Sequence, residues 1–338
     1  SMNRELDLDL FFQHENRAWP PSLSDKGALR ISGQKSDILD VIQENVPEIL
    51  NTIPTSCDGI IYDGSAFVHC HSPRNAKIFE EYWKLDLKPV IDWMSTSFRA
   101  YRVDFVWDTY SENSLKNTAR ENRGQGTQRQ VTATRNVPRN WKDFLRNTKN
   151  KIQPFSLLAN HALRDSNNKH VVTNVGDVVR SSRQCGTAIA GLSCCSSEEA
   201  DGRIIAHLKD MVKYGAQFVL ICTVDSDVVV LAVSFYSTLK KDGLLNLWIK
   251  FGKGKNQSYL PAHTIADSLL DKAIALRGFH SFTGCDTTSA FYGKGKRSAY
   301  AVWKSFEDAT SAFLDISTPS AGLSQATYAT LERFVILL

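Results

Sequence analysis

The stretch AQFVLICTVDSDVVVLAVSFY, residues 216–236, decides the fold. Its first half is a continuous apolar run, which is typical of a strand buried on both faces of a parallel sheet. The run stops at Asp225-Ser226-Asp227, and a second apolar segment follows. We therefore expect Asp225 and Asp227 at the carboxyl end of a buried strand, which is the edge of an open α/β sheet where ligand sites form.

Two other apolar runs end in the same way. GIIYDGSAFVHC (residues 59–70) reaches Asp63 before a glycine turn, and RVDFVWD (residues 102–108) reaches Asp108. Further strands are predicted at His170–Val172 and in LLNLWIKFG (residues 244–252). Helical patterns cover residues 36–50, 76–100, 196–215 and 265–277, whereas residues 156–197 are polar and rich in turn formers. Strands that alternate with helices predict an α/β protein with a mainly parallel, twisted sheet flanked by helices.

The composition sets limits on the class of protein. The 338 residues are 42% hydrophobic, enough for a substantial core, and the net charge of +4 does not by itself indicate a nucleic-acid partner. Seven cysteines without a repeated C-x-x-C spacing indicate reduced thiols, so we expect an intracellular and preferably nuclear protein. No apolar run approaches the roughly 18 residues that cross a membrane, and no secretory signal begins the chain. The leading Ser1-Met2 pair is expected to be a remnant of expression, and the apolar ending suggests that the natural chain continues past Leu338.

Positive charge is concentrated in one region. Residues 114–151 carry ten lysines and arginines against two acids. Lys116 and Arg123 are seven residues apart, so a helix would place them on one face. Arg120 and Arg129 belong to the same region, which we expect to contact phosphates without reading base sequence. A solvated basic helix face is the alternative interpretation.

Acidic residues supply the candidate metal ligands. A single acid after a strand usually forms a turn or caps a helix, but seven at such places indicate more. Carboxylates that converge repel one another unless cations neutralise them, and hard oxygen ligands suit two Mg²⁺ or Mn²⁺ ions that act on a phosphodiester. Zinc is disfavoured because no set of histidine and cysteine ligands accompanies the acids. The seven candidates are Asp63, Asp108, Glu199, Asp201, Asp225, Asp227 and Asp286.

A family resemblance agrees with this interpretation. The ordered motifs YDGSAFVH, VDFVWD, SLKNTARENR, EEAD, TVDSDVVVLA and FTGCDTTSAFYGKGK, within about residues 57–305, resemble the flap-endonuclease branch of the PIN-like nucleases. They are most similar to a metazoan group of transposon-associated proteins that share the TGCDTTS…GKGK signature. The resemblance implies a structure-sensitive 5′ nuclease with two divalent ions. It also implies a PIN-like sheet, with a C-terminal helix-two-turn-helix-like element that grips duplex backbone.

The resemblance also implies roles for individual residues. Asp63, Asp108, Asp201, Asp225 and Asp227 match direct metal ligands, whereas Glu199 and Asp286 would act through water. Lys116 and Arg123 match a pair placed over the scissile phosphate on an arch helix. The turn Gly293-Lys294-Gly295-Lys296 would hold a phosphate together with K⁺, and His69 would stack on a base. The earlier GKGK at residues 252–255 is interpreted as a plain basic turn.

These expectations give three domains and leave the function open between classes. Residues 1–55 form an appendage, residues 56–262 a PIN-like core with an arch-like region at 111–151, and residues 263–338 a helical region. One hypothesis is a nuclease that cleaves branched or 5′-ended DNA, with an RNA-directed nuclease as a variant. The other is a nuclease-fold scaffold that binds nucleic acid or protein without cutting. No membrane partner is expected, and the sequence does not predict an oligomeric state.

Overall fold

The computed structural model describes residues 18–31, 35–44, 46, 52–109, 128–183, 190–193, 200–318 and 322–338. The chain forms two compact units. The sheet unit is Leu39–Arg277, and the helical unit combines Ser1–Ile38 with Gly278–Leu338. These limits differ from the predicted domain boundaries at residues 55 and 262, which stay predictions. Lys116, Arg120, Arg123 and Glu199 lie outside the described residues.

A sheet of seven strands organises the sheet unit. Its strands are β3 (Gly59–Asp63), β4 (Arg102–Val106), β5 (His170–Val175), β6 (Val178–Ser181), β7 (Phe218–Thr223), β8 (Asn246–Phe251) and β9 (Ser258–Pro261). The spatial order is β6-β5-β4-β3-β7-β8-β9, in which β3, β4, β5, β7 and β8 are parallel, and β6 and β9 are antiparallel edges. The predicted α/β class and mainly parallel sheet are therefore confirmed.

Helices flank this sheet. The helix α1 (Asp37–Gln43) spans the boundary between the two units. The sheet unit further contains α2 (Gly64–Cys70), α3 (Phe79–Tyr82), a π-helical turn (Trp83–Leu87), α4 (Lys88–Ser97), α5 (Trp141–Phe144), α6 (Thr148–Arg164), α7 (Ala190–Ser193), α8 (Ala200–Lys213), α9 (Ser226–Lys241) and α10 (Ala262–Leu269). The helices expected within residues 76–100 and 196–215 are confirmed. The turn-rich interpretation of the segment from residue 156 is wrong up to Arg164. There α6 continues, because Phe155, Leu158 and Ala159 form a buried apolar face.

The helix α11 (Asp271–Phe282) begins in the sheet unit and ends in the helical unit. The helical unit also contains a short hairpin, β1 (Ser24–Asp25) with β2 (Ala28–Leu29), and the helices α12 (Lys296–Ser305), α13 (Ala309–Ser317) and α14 (Gln325–Leu337). Aromatic rings form its core: the centroids of Phe279 and Trp303 lie 4.7 Å apart, and those of Phe313 and Phe334 lie 5.1 Å apart. The single helix predicted for residues 265–277 is two helices, because Leu270 takes a φ of 52° and ends α10.

The N-terminal segment is bonded to the helical unit rather than separate from it. The amide of Ala290 donates to the carbonyl oxygen of Arg30 at 2.8 Å, and the amide of Tyr292 donates to that of Ser22 at 2.8 Å. Within the described residues, no helix is long and apolar enough to cross a membrane.

A buried charge network joins β4 to α8. Arg102 donates to both carboxylate oxygens of Asp104 at 2.8 Å and to Asp210 of α8 at 2.7 Å. His207 of α8 lies 2.7 Å from the same Asp104 carboxylate, which is fully buried. Burial opposes ionisation of Asp104, but Arg102 and His207 outweigh it and lower its pKa. The network therefore fixes α8, and with it the first turn of that helix, against the central sheet.

Replacing Asp104 by asparagine is expected to lower the free energy of unfolding by about 3 kcal/mol, because the buried Arg102 loses its two-point partner. Urea unfolding at neutral pH measures this loss. The control is Asp267→Asn, which removes an exposed partner of Lys240 and should lower the free energy of unfolding far less, because water screens exposed ion pairs. Equal losses in the two variants would contradict a stabilising role for the buried network.

Candidate metal centre

Three neighbouring parallel strands bring acidic residues to one edge of the sheet. Asp63 is the last residue of β3, Asp108 follows β4 by two positions, and Asp225 follows β7 by two positions. The register pairs β3 with β4 on one side and with β7 on the other, so all three strands end at the same edge. The convergence expected from the strand pattern is what the structure shows.

The tightest group consists of Asp201, Asp225 and Asp227. Each offers one carboxylate oxygen, and these three oxygens lie within 4.8 Å of one another. Asp225 caps α9, Asp227 lies in the first turn of α9, and Asp201 lies in the first turn of α8. All three side chains are half-buried. A set of hard oxygen donors this close together fits Mg²⁺ or Mn²⁺ and lacks the nitrogen or sulfur ligands that favour zinc.

Hydrogen bonds connect Asp63 and Asp108 to this group. Thr223, at the end of β7, donates its hydroxyl to Asp63 Oδ2 at 2.9 Å and accepts the amide of Asp225 at 3.1 Å. Asp108 Oδ1 accepts the amide of Ala200, the residue before Asp201, at 3.1 Å. The structure therefore brings together five of the seven candidate acids.

Thr223 is a residue of the candidate centre that the sequence interpretation missed. Its position is the only signal in the sequence: it is a hydroxyl residue at the end of an apolar strand, two positions before an acid.

The helix-cap alternative also holds for some of these acids. Asp63 Oδ1 accepts the amide of Ala66 at 2.9 Å at the start of α2, and Asp225 Oδ1 accepts the amide of Asp227 at 3.0 Å. A cap uses one lone pair of one oxygen and leaves others on the same carboxylate. The caps therefore orient the side chains, and capping does not compete with metal binding.

The electrostatics of Asp63 reflect crowding of negative charge. Burial, together with the charges of Asp108 and Asp225, raises the pKa of this carboxyl from 3.8 to about 7, against the hydrogen bonds from Ala66 and Thr223. A carboxyl group in this state takes up a proton near neutral pH unless a cation takes the place of that proton. The donor set therefore fits a divalent cation on its own chemistry.

A close contact between Gly64 and Trp107 joins the ends of β3 and β4. A Cβ atom on Gly64 would lie 2.4 Å from the Trp107 ring, so a side chain has no room there. Trp107 is held in turn, because its indole donates to Thr173 Oγ1 at 3.0 Å and its amide donates to Asn174 Oδ1 at 2.8 Å. Each of the two contacting residues adjoins an acid of the site, Asp63 or Asp108.

Two residues predicted to bind nucleic acid lie in the sheet unit. His69 is in the last turn of α2. Its pKa is lowered to about 4, mainly because the surrounding protein desolvates the ring, and also because of the positive charges of Lys151 and Lys253. The ring is therefore neutral at pH 7, and its stacking role stays a prediction. Arg129 is exposed, and its amide donates to Asn150 Oδ1 at 2.7 Å.

The remaining candidates lie in the helical unit. Asp286 pairs with Lys35 at 3.0 Å. Lys296 is 1% exposed, and its ammonium donates to the carbonyl oxygen of His280 at 2.6 Å and to Thr283 Oγ1 at 2.8 Å. This placement is at odds with the expected phosphate contact of Lys296, because the ammonium instead binds the carboxyl end of α11. In the same turn Lys294 is exposed, Gly293 takes a φ of 69°, and Gly295 caps α12.

Fold and site together define an α/β protein with an acidic centre at the carboxyl edge of its parallel strands. No protein-family model matches the chain, and no curated protein matches it.

Substituting Gly64 by alanine is expected to cost about 1–3 kcal/mol of unfolding free energy, because the new methyl group overlaps Trp107 and forces the two strand ends apart. Thermal and urea unfolding measure the loss. The neighbouring change Ser65→Ala adds no atoms at the contact and should stay within about 0.5 kcal/mol. A Gly64→Ala variant as stable as Ser65→Ala would show that the contact is not tight.

Stability without divalent ions should fall as pH rises, owing to Asp63. Its raised pKa means that the folded state holds a proton that the unfolded state has lost, so its contribution to stability declines between pH 4 and pH 7. A shift of about three pKa units corresponds to roughly 4 kcal/mol at most. Chemical denaturation in EDTA, at pH 5 and pH 8, should show a smaller decline for Asp63→Asn than for the wild type. Identical declines would refute the raised pKa.

Proposed function

We propose that this protein is a metal-dependent, structure-sensitive nuclease of the PIN-like type that hydrolyses phosphodiester bonds in DNA. One observation carries the proposal: the carboxylate oxygens of Asp201, Asp225 and Asp227 lie within 4.8 Å of one another. Asp63 and Asp108 extend this group through Thr223 and the start of α8.

The five acids of the centre would hold two divalent ions. Asp201, Asp225 and Asp227 would hold one divalent ion, and Asp63 and Asp108 would complete the ligands of a second. When bound, such ions supply an activated water and neutralise charge on the leaving oxygen of a phosphodiester. Thr223 fixes the orientation of Asp63, and the cap at Asp225 fixes that of the Asp225 carboxylate.

Basic residues near the acidic centre support a polyanionic substrate. The charges of Lys151 and Lys253 act on His69, which also experiences the charge of Asp108. Arg129 is exposed on the segment that precedes α5. Lysine and arginine side chains attract phosphate backbones without reading sequence. Lys116, Arg120 and Arg123 would add to this surface, and the turn at residues 293–296 would bind duplex backbone through its amides, Lys294 and K⁺.

A purely scaffolding role is less consistent with the energetics of the site. Asp63 is 6% exposed and lies beside two other acids, so it costs folding free energy that a binding surface does not require. A protein that only bound nucleic acid would be more stable with neutral residues at these positions. The acid cluster is explained if cations compensate it during catalysis.

The double substitution Asp225→Asn with Asp227→Asn should reduce Mg²⁺- or Mn²⁺-supported cleavage by at least about 100-fold, because two ligands lose their charge. Rates are measured on 5′-flap, gapped and hairpin DNA, and on RNA versions of each. The control Asp267→Asn removes an exposed acid of the same unit and should leave the rate unchanged.

Full activity of the double variant would place the active site elsewhere. If the wild-type protein binds these substrates and cuts none of them, the scaffold hypothesis replaces the nuclease.

A further inference from the structure

A separate cavity of about 520 Å³ opens in the sheet unit. Its walls come from α2, the loop at residues 72–75, the π-helical turn with α4, and the turn that follows β8. That last turn includes Gly252 and Lys253, which the sequence interpretation treated as a plain basic turn. A volume of this size is typical of sites for small organic ligands.

A row of paired residues crosses the sheet beneath the cavity. Tyr62 of β3 pairs with Cys222 of β7, and Cys222 pairs with Lys250 of β8. All three line the cavity. Lys250 is half-buried, and its ammonium has the sulfur of Met94, 3.8 Å away, as its hydrogen-bond partner among the described residues. A thioether is a weak acceptor, so the charge of Lys250 is left without an anion in the described part of the chain.

Other charged side chains make the cavity positive on balance. Lys253 and Arg74 line it, and both are exposed. The acid that lines it, Asp86, accepts the amides of Arg74, Asn75 and Ala76 at 3.0–3.3 Å. The carboxylate of Asp86 is therefore hydrogen-bonded to the backbone of its own loop. The lining of the cavity has three cations, Lys250, Lys253 and Arg74, against this one acid.

Tyr62 supplies an independent sign of a missing partner. This residue is 2% exposed, and its hydroxyl has no hydrogen-bond partner within the described structure. A buried hydroxyl without a partner destabilises the folded protein, and such groups are rare unless a ligand or water completes their hydrogen bonds. Phe67, Val90 and Met94 add apolar surface to the same walls. Lys253 donates to the carbonyl oxygen of His69 at 2.9 Å, a neutral acceptor, so its charge also faces no anion in the described part of the chain. The cavity thus combines a polar donor, cations without an anionic partner there, and an apolar wall.

We propose that this cavity binds a nucleoside monophosphate, either free or as the terminal nucleotide of a strand. The phosphate lies against Lys250 and Lys253, the base contacts the apolar wall, and Tyr62 donates to an acceptor of the ligand. Thr223 lines the cavity and also bonds Asp63, so the cavity adjoins the carboxylate centre. The inference goes beyond the proposed nuclease, because it requires no cleavage.

Calorimetric titration with dAMP in EDTA tests the site without divalent ions. Lys250→Met keeps the length of the side chain and removes its charge, so the Kd should rise about tenfold. Lys253→Met should also raise the Kd. Because Lys253 is exposed, this variant tests the site even if Lys250→Met does not fold. Lys255→Met is the matched control, because this lysine lies in the same turn but outside the cavity lining, and the Kd should not change. No binding by the wild-type protein, or equal effects of all three changes, would overturn the proposal.

Titrations with parts of the nucleotide show whether the site recognises both its base and its phosphate. Deoxyadenosine and inorganic phosphate should each bind at least about tenfold more weakly than dAMP, and equal affinity for phosphate would overturn the nucleotide assignment. Tyr62→Phe should weaken dAMP binding while leaving the Tm unchanged or higher, because the unpartnered hydroxyl is removed. An unchanged Kd would remove Tyr62 from the site.

Two comparisons distinguish a free nucleotide from the terminal nucleotide of a strand, and the nucleotide site from the proposed nuclease centre. If a terminal nucleotide is the ligand, a 5′- or 3′-phosphorylated oligonucleotide displaces dAMP better than its unphosphorylated form. If the free nucleotide is the ligand, oligonucleotides fail to displace dAMP. Binding of dAMP should survive the double change Asp225→Asn with Asp227→Asn, whereas cleavage should not. Loss of dAMP binding in that variant would place the nucleotide at the carboxylates and overturn the separate site.

Discussion

Mutual repulsion among carboxylates at one edge of the sheet is the constraint on which the rest of the site depends. Parallel strands bring Asp63, Asp108 and Asp225 to the same edge, and α8 adds Asp201. The cost appears at Asp63, where burial and neighbouring acids raise the pKa to about 7. The fold resists the repulsion by packing and hydrogen bonding, and either protons or divalent cations must relieve what remains. The proposed divalent ions would relieve this repulsion.

Supporting contacts in the sheet unit act on this edge. Thr223 links Asp63 to the backbone of Asp225, and the contact between Gly64 and Trp107 locks two strand ends together. The buried network of Arg102, Asp104 and His207 fixes the helix that carries Asp201. The neighbouring cavity shares Thr223 with the acidic centre. Positive and negative regions therefore lie side by side, which is the arrangement that the proposed nucleotide and the proposed divalent ions would require.

Much of the sheet and the acidic edge could be predicted from the sequence, because the buried parallel strands form largely apolar runs and three of these runs stop at an acid. The edge strands β6 and β9 were missed, since they are four residues long and carry no such run. The break at Leu270 was missed because neither glycine nor proline marks it. Lys296 was predicted to bind nucleic acid with the rest of its turn, and its burial depends on tertiary contacts with His280 and Thr283 that the sequence does not reveal. The role of Thr223 likewise depends on a partner 160 positions away in the chain.

The central claim is that divalent ions occupy the acidic edge, and a crystal soaked in Mn²⁺ tests it most directly. The account predicts anomalous density within bonding distance of the carboxylates of Asp201, Asp225 and Asp227, with Asp63 and Asp108 contributing to the same centre. A Mn²⁺ soak that places density only at other sites, or leaves these carboxylates without an ion, would contradict it.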